Sequence, residues 1–357
     1  MLYNLQKLNK NKMNIDEQYL KILGDIKYEG TRKEARNGAT RSLFGVTLTH
    51  DMKEGFPLLT TKKMYYTGII SELLWFLAGK TDLRTLLEEG NKIWVGDAFK
   101  NYLDYHKRIH TNRFEILNKK EFIQKILHDD NFSERWGDLG PIYGGQWLNW
   151  GSEFGHDNPY KGINQIKGAI KTLKNNPDSR RILVNAWNPN DIPDMILPPC
   201  HYSFQFWTRE LTYEERLEIA YPEIADEDLG SQSHLDDVGA PKRALSLLWN
   251  QRSADFPLGA PFNIASYALL LELMAKEVNM VPEKLIGNIG DAHIYENQLE
   301  GVKEQITRDP YKYPYPKLKL QDGIRIADPN NEKFPVSGDI RIIGYQSYPS
   351  IKFPLSN

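Results

Sequence analysis

Apolar residues recur at helical spacing through residues 14–29 (NIDEQYLKILGDIKYE), where Ile15, Tyr19, Ile22, Leu23 and Ile26 share one face and Gly30 follows as a stop. This pattern predicts an amphipathic helix. The period then changes to two: in RSLFGVTLTH, Phe44, Val46 and Leu48 alternate with smaller or polar residues, as in a strand with one buried face. MYYTGIISELLWFLAG is apolar nearly all round and closes at Gly79, which predicts a helix buried on most sides. Ile163, Ile166, Ile170 and Leu173 mark a further helix ahead of an Asn-Asn-Pro break. RILVNAW, HYSFQFWT and ALSLLWNQ have the aromatic and aliphatic composition of sheet strands, and a second apolar helix is expected from Ile264 to Val278.

Two stretches break this framework. Residues 103–136 are charged and hold a short helical pattern (KKEFIQKIL), while 209–243 are acidic and interrupted by Pro222, Gly230, Gly239 and Pro241. Both read as surface insertions in a single domain. No repeat, heptad run or linker-like change of composition divides the chain. The expectation is one α+β domain over residues 14–357, with insertions at about 103–136 and 209–243, preceded by an N-terminal extension, 1–13, that ends at a second possible start, Met13.

Composition narrows the function classes. The 357 residues carry 45 Lys and Arg against 47 Asp and Glu, so no global charge favours nucleic acid or an anionic membrane, and any anion site must be local. IISELLWFLAG is much shorter than a membrane span and contains a carboxylate, so a soluble, cytoplasmic protein is expected. A single cysteine excludes an internal disulfide framework and any site built from several thiolates.

That cysteine, Cys200, lies in LPPCHYSFQFW, behind two stiffening prolines and at the entrance of a strand. A lone cysteine is more often a buried structural residue than a nucleophile. A Cys-His hydrolase pair does not fit, since neighbours on a strand point to opposite faces. A metal site lacks partner thiolates or an HExxH pair, so no metal is expected. A nucleophilic thiolate needs nearby positive charge, for which arginines are the candidates. Asp178-Ser179-Arg180-Arg181 and Gln251-Arg252-Ser253 supply them; such arginines are either solvated charges or, with a serine hydroxyl, guanidinium forks for a dianionic phosphate. Glu72, alone within IISELLWFL, is either a polar anchor or a tuned acid/base. Asn263, after Pro261-Phe262, has helix N-cap as its default role, although an amide also suits a pyrimidine edge.

The segments FPLLTTKK, ELLWFLAG, IW, DLGPIYGGQW, NPDSRRILVNAWNP, LPPCH, QF, QRSADFPLGAPFNIASYALL and GDAHIY occur in the order found in thymidylate synthases. The chain resembles that family from about Ile15 to its C-terminus, and this series of motifs is highly specific. The resemblance implies a mixed β-sheet core packed by helices. It also implies methylene transfer from 5,10-methylenetetrahydrofolate to deoxyuridylate (dUMP), followed by hydride transfer from the same folate. By position, Cys200 matches the nucleophile that attacks carbon 6 of uracil. Arg36, Arg180, Arg181, Arg252 and Ser253, with the adjacent Gln251, match the nucleotide-binding cluster, Arg180 and Arg181 coming from the partner subunit of a homodimer. Arg252 is also expected to favour the Cys200 thiolate. Asn263 matches the residue that reads the uracil ring, and His293 and Tyr295 those that hold the ribose hydroxyl. Glu72, Tyr143, His201 and Gln205 match the polar network around the base. Lys62, Ile93, Trp94, Asp255, Leu258, Gly259 and Phe262 match the folate site.

The chain departs from the family pattern in three places. NGATRSLFG after Arg36 is one residue shorter than the usual phosphate loop, Val95-Gly96-Asp97 follows Trp94 where the family often has aspartate, and the terminus IKFPLSN ends in polar residues. The last two bear on water exclusion. The implied reaction is therefore dUMP methylation, with dUMP hydroxymethylation as the alternative. Deoxycytidylate chemistry is disfavoured by Asn263, and a retired RNA-binding or scaffolding relative by the intact Cys200, Arg252 and Asn263.

Overall fold

Asn14 starts the first helix by accepting the backbone N–H of Glu17 at 2.8 Å, and α1 (Ile15–Glu29) then buries Ile15, Tyr19, Leu23 and Ile26. The structure is a computed structural model that describes residues 13–35, 37–108, 116–152, 162–222 and 232–355. The expected N-terminal extension up to residue 12, Arg36 and the terminal Ser356-Asn357 lie outside the described residues. On the buried face of α1, the Asp16 carboxylate accepts from the Thr60 and Thr61 backbone N–H groups at 3.1 and 3.0 Å and from the Thr61 hydroxyl at 2.7 Å. A fully buried carboxylate needs such a set of donors, and here they pin the 60–62 segment in place.

The sheet has six strands in the order β1-β2-β6-β5-β4-β3: β1 (Thr31–Ala35), β2 (Gly38–Asp51), β3 (Leu183–Asn185), β4 (His201–Glu210), β5 (Arg243–Asp255) and β6 (Val281–Tyr295). Only the central β5–β6 pair is parallel, because α11 (Ala260–Val278) carries the chain back across one face between them. This confirms the expected α+β fold with a mixed sheet packed by helices. On that side α8 (Gln165–Asn175) packs against β3, α2 (Tyr66–Leu77) packs on α11, and α7 (Tyr143–Asn149) contacts both α2 and α8. The other face exposes Trp207 (55%) and Leu183 (45%).

Three expectations are corrected. Leu48 is buried as expected, but Phe44 is 87% exposed and Val46 only half-buried; Gly45, at φ +83°, interrupts the alternation, and Thr40, Ser42 and His50 are the strand's other buried residues. Ile163 is exposed and lies before α8 in a bridge to Trp150, so the buried stripe is Ile166, Ala169, Ile170 and Leu173. The second apolar helix begins at Ala260, with Pro261 in its first turn, which places Asn263 inside the helix and not at its cap.

After α3 (Leu83–Glu88), the 103–136 stretch holds the end of α4 (Val95–Arg108) and the helices α5 (Lys119–His128) and α6 (Asp130–Trp136). Phe122 and Ile126 are fully buried there, and Tyr102 packs 5.1 Å from Trp136. Residues 211–242 leave the sheet after Glu210 and return at Arg243, its direct cross-strand neighbour. Within this excursion, Arg216 of α9 (Tyr213–Ala220) meets Asp236 of α10 (Gln232–Asp237) at 2.6 Å, while Arg209 of β4 binds Glu215 of the excursion and Glu283 of β6. Further on, α12 (Leu299–Gln305) is followed by a separate hairpin, β7 (Lys317–Leu320) with β8 (Ile340–Ile343).

Candidate active site

Cys200 sits one residue ahead of β4, where the Pro198-Pro199 approach leaves two carbonyls pointing at β5. Arg252 occupies them: Nε donates to Pro199 O and Nη2 to Pro198 O, both at 3.0 Å. Held this way, with the Trp187 ring 5.5 Å away, the guanidinium puts Nη2 3.8 Å from the Cys200 Sγ. Burial pushes the Cys200 thiol above its usual range; Arg252 pulls it down and Asp97 raises it further. The expected thiolate-favouring effect of Arg252 is therefore present in direction, but desolvation outweighs it.

Tyr143, at the start of α7, anchors Cys200 from behind by accepting its backbone N–H at 2.9 Å. Its ring stacks on His201, centroids 4.2 Å apart, and burial holds that imidazole neutral by lowering its pKa to about 3. Glu72 of α2 accepts the Trp94 indole N–H at 2.8 Å. Desolvation nonetheless raises the carboxyl pKa to about 7, so it exchanges a proton near neutrality, as an acid/base group requires.

Asn263 is oriented through a relay. Trp249 has an indole N–H that can only donate, and it donates to Gln251 Oε1 at 3.3 Å. This turns the Gln251 amide so that Nε2 donates to Ser253 O at 3.0 Å and to Asn263 Oδ1 at 3.1 Å. The Asn263 NH₂ is thereby aimed away from Gln251. Gln251 is itself buried and acts here by holding Asn263, not by facing solvent.

At the end of β5, Asp255 accepts from the Leu258 backbone N–H at 3.1 Å and from Gln298 Nε2 at 2.9 Å. His293 pairs with it across β5–β6, its Nδ1 lying 3.2 Å from the Asp291 carboxylate, and the Tyr295 ring stands edge-on 5.2 Å away. Lys62 is buried, donates to Pro257 O and has the Phe353 ring 4.8 Å from its ammonium; burial lowers its pKa to about 7 although Asp255 opposes that. Ile93, Leu258 and Phe262 remain partly exposed, and Gly259 caps α11 where an added Cβ would approach Asp255 O to 3.2 Å.

Other residues stay apart. Arg180 and Arg181 lie exposed in the turn before β3 and make no side-chain bond to the Cys200 cluster of their own chain. Gln205 is exposed opposite Leu183 on the uncovered face of the sheet. Ser253 is half-buried and pairs with Asp291. Trp187, Gln298, Asp97 and Tyr267 carry no individual role in the sequence reading. Asp97 enters the sequence pattern only as part of the Val95-Gly96-Asp97 departure.

Among the described residues no group of three or more His, Cys, Asp or Glu side chains is arranged to hold a metal ion, and no helix is long and apolar enough to cross a membrane. Compared with known protein families, residues 17–357 match the model of thymidylate synthase.

Proposed function

The chain belongs to the thymidylate synthase family, and from that premise we propose that it converts dUMP to thymidylate using 5,10-methylenetetrahydrofolate. Family membership makes it a one-carbon transferase of nucleotide biosynthesis, a family that uses this folate as co-substrate. The observation that carries the finer reading is the pairing of Cys200 with Arg252, Nη2 to Sγ 3.8 Å, in a chain with no other thiol.

In this reading the Cys200 thiolate adds to carbon 6 of uracil, and the displaced π electrons make carbon 5 nucleophilic. Arg252 lowers the cost of the thiolate and, with Ser253, Arg36 and the partner's Arg180 and Arg181, binds the phosphate of dUMP. Asn263, fixed by Gln251, reads the base edge, and His293 and Tyr295 hold the ribose hydroxyl. Glu72, Tyr143 and His201 surround the pyrimidine O4, whereas Gln205, on the uncovered face of the sheet, stands apart from them. Glu72, titrating near 7, exchanges the protons that carbon 5 chemistry requires. The folate supplies the methylene carbon and then a hydride. Trp94, Ile93, Leu258, Gly259 and Phe262 would hold its rings, with Asp255 and Lys62 at its polar groups; the half-exposed apolar side chains around a buried carboxylate suit a flat, amphiphilic heterocycle. Elimination of Cys200 from carbon 6 completes the reaction. A homodimer through the uncovered sheet face is supported by exposed Phe44, Leu183 and Trp207.

A second reading, dUMP hydroxymethylation, is favoured by Asp97. Its charge acts on Cys200, and it stands where the family pattern departs, so a carboxylate is near the methylene that water would attack. Mass analysis of the nucleotide product decides between them. Methyl product with stoichiometric dihydrofolate supports the first reading, hydroxymethyl product with tetrahydrofolate the second, and absence of tritium release from carbon 5 of dUMP rejects both.

A further inference from the structure

The His201 imidazole lies between two tyrosines. Tyr143 covers its face, while Tyr267, in the middle of α11, meets its edge with Oη 2.8 Å from Nδ1. Tyr267 is 2% exposed, and among the described residues its hydroxyl makes no other hydrogen bond. Its ring is held independently of that bond. It lies parallel to the Trp249 ring at 5.3 Å and 6°, and Phe204 packs against it at 5.7 Å.

A proton count fixes the direction of the bond. Burial keeps the Tyr267 phenol protonated, by pushing it well above its ordinary range, and keeps His201 neutral. Each therefore has one hydrogen to donate. If Nδ1 carried the imidazole hydrogen, the phenolic hydrogen would be buried with no acceptor, at the full desolvation cost of that donor. If Tyr267 donates, both groups are satisfied and the imidazole hydrogen resides on Nε2. His201 Nε2 makes no hydrogen bond to the described residues, so it is left for what enters the site.

We propose that Tyr267 is a positioning residue that locks His201 in the Nε2–H tautomer, so that the imidazole offers the bound nucleotide a neutral N–H donor and never a lone pair. The role toward the nucleotide rests on the function proposed above; the tautomer does not.

Tyr267→Phe keeps the stacked ring and removes the donor. Two-bond proton–nitrogen correlation spectra of the histidine-labelled, substrate-free protein read the tautomer directly. Wild type is expected to show His201 as Nε2–H, and Tyr267→Phe a mixture of tautomers; an Nδ1–H signal in wild type overturns the proposal. In steady state, kcat for Tyr267→Phe is expected to fall about tenfold with the KM for dUMP within about twofold. In a His201→Ala background, the same Tyr267→Phe change is expected to have no further effect. A further drop of equal size would mean that Tyr267 acts only through its packing on Trp249, which overturns the positioning role. A protein with no turnover of dUMP but the Nε2–H signal would count against the proposed function alone.

Discussion

Replacing Arg252 by Gln removes the positive charge that lies against Cys200 among the described residues, and the geometry sets the size of the effect. At the observed 3.8 Å between Nη2 and Sγ, opposite unit charges attract by about 4 kcal/mol at an effective dielectric near 20, and by about 1 kcal/mol in water. Arg252 is itself exposed, so solvent screening places the effect toward the lower figure, at about 1.4 kcal/mol. That corresponds to about tenfold less thiolate at any pH below the thiol's own titration. Because Cys200 is the only cysteine in the chain, the rate of alkylation by iodoacetamide at pH 7 reads this population without interference. The expected result is alkylation about tenfold slower in Arg252→Gln. Arg252→Lys, which keeps the charge but loses the forked grip on the Pro198 and Pro199 carbonyls, is expected to fall between. Equal rates in wild type and Arg252→Gln, with an unchanged circular dichroism spectrum, would show that the guanidinium only braces the proline turn.

Glu72 has its pKa raised from 4.5 to about 7 in the folded chain, so its contribution to stability is complete below about pH 4.5 and is lost as pH rises toward 7; Glu72→Gln is expected to flatten the melting-temperature profile across that window, and an identical slope in both proteins would contradict this. Asn263→Asp exchanges a donor for a second acceptor beside Gln251 and is expected to lower kcat/KM for dUMP by roughly 10- to 100-fold while raising that for deoxycytidylate; an unchanged preference would move base recognition elsewhere. An Arg180/Arg181 double mutant mixed with a Cys200 mutant under subunit exchange is expected to regain activity that neither has alone; no recovery despite proven exchange would leave these arginines serving their own chain. Gly287→Ala drives a Cβ to within 2.3 Å of the buried Trp249 ring and is expected to destabilise the fold by about 1–3 kcal/mol in urea titration; a neutral substitution would mean that the Trp249–Tyr267 stack is loose.

Much of the framework is legible from periodicity because α1, α2 and α8 each bury a continuous stripe, and their ends carry Asn14, Gly30 and Gly79 in terminator or cap positions. The longest strand, β6, is not. Its Gly287 and Gly290 look like breaks, yet they are where the Trp249 ring and the Arg252 carbonyl press against the strand too closely for any side chain. Phe44 misleads in the opposite sense: its alternation with Val46 and Leu48 implies burial, but the positive φ at Gly45 sends it outward. In the site, Cys200, Arg252 and Asn263 stand out by motif, whereas Tyr267 reads as one more apolar-helix residue in SYALLLEL. Only the fold brings its hydroxyl to His201. Gln251 shows the same limit, since adjacency to Arg252 suggests ligand contact and the side chain instead turns inward to Asn263.

The departure and return of residues 211–242 at directly paired positions, Glu210 and Arg243, has a bearing on how such a chain changes over generations. An excursion whose two ends are already neighbours in a strand ladder imposes no length requirement on the rest of the molecule. Arg216 with Asp236 ties the excursion to itself, and its links outward, Glu215 to Arg209 and Gly239 O to Asn279, lie at the end of β4 opposite the one that Cys200 enters. Such a segment can lengthen, shrink or be exchanged with a short turn while the β4–β5 alignment, and with it the spacing of Cys200 from Arg252, stays the same. Drift is thereby partitioned: selection on chemistry acts at one end of these two strands, and the other end is free to acquire new contacts.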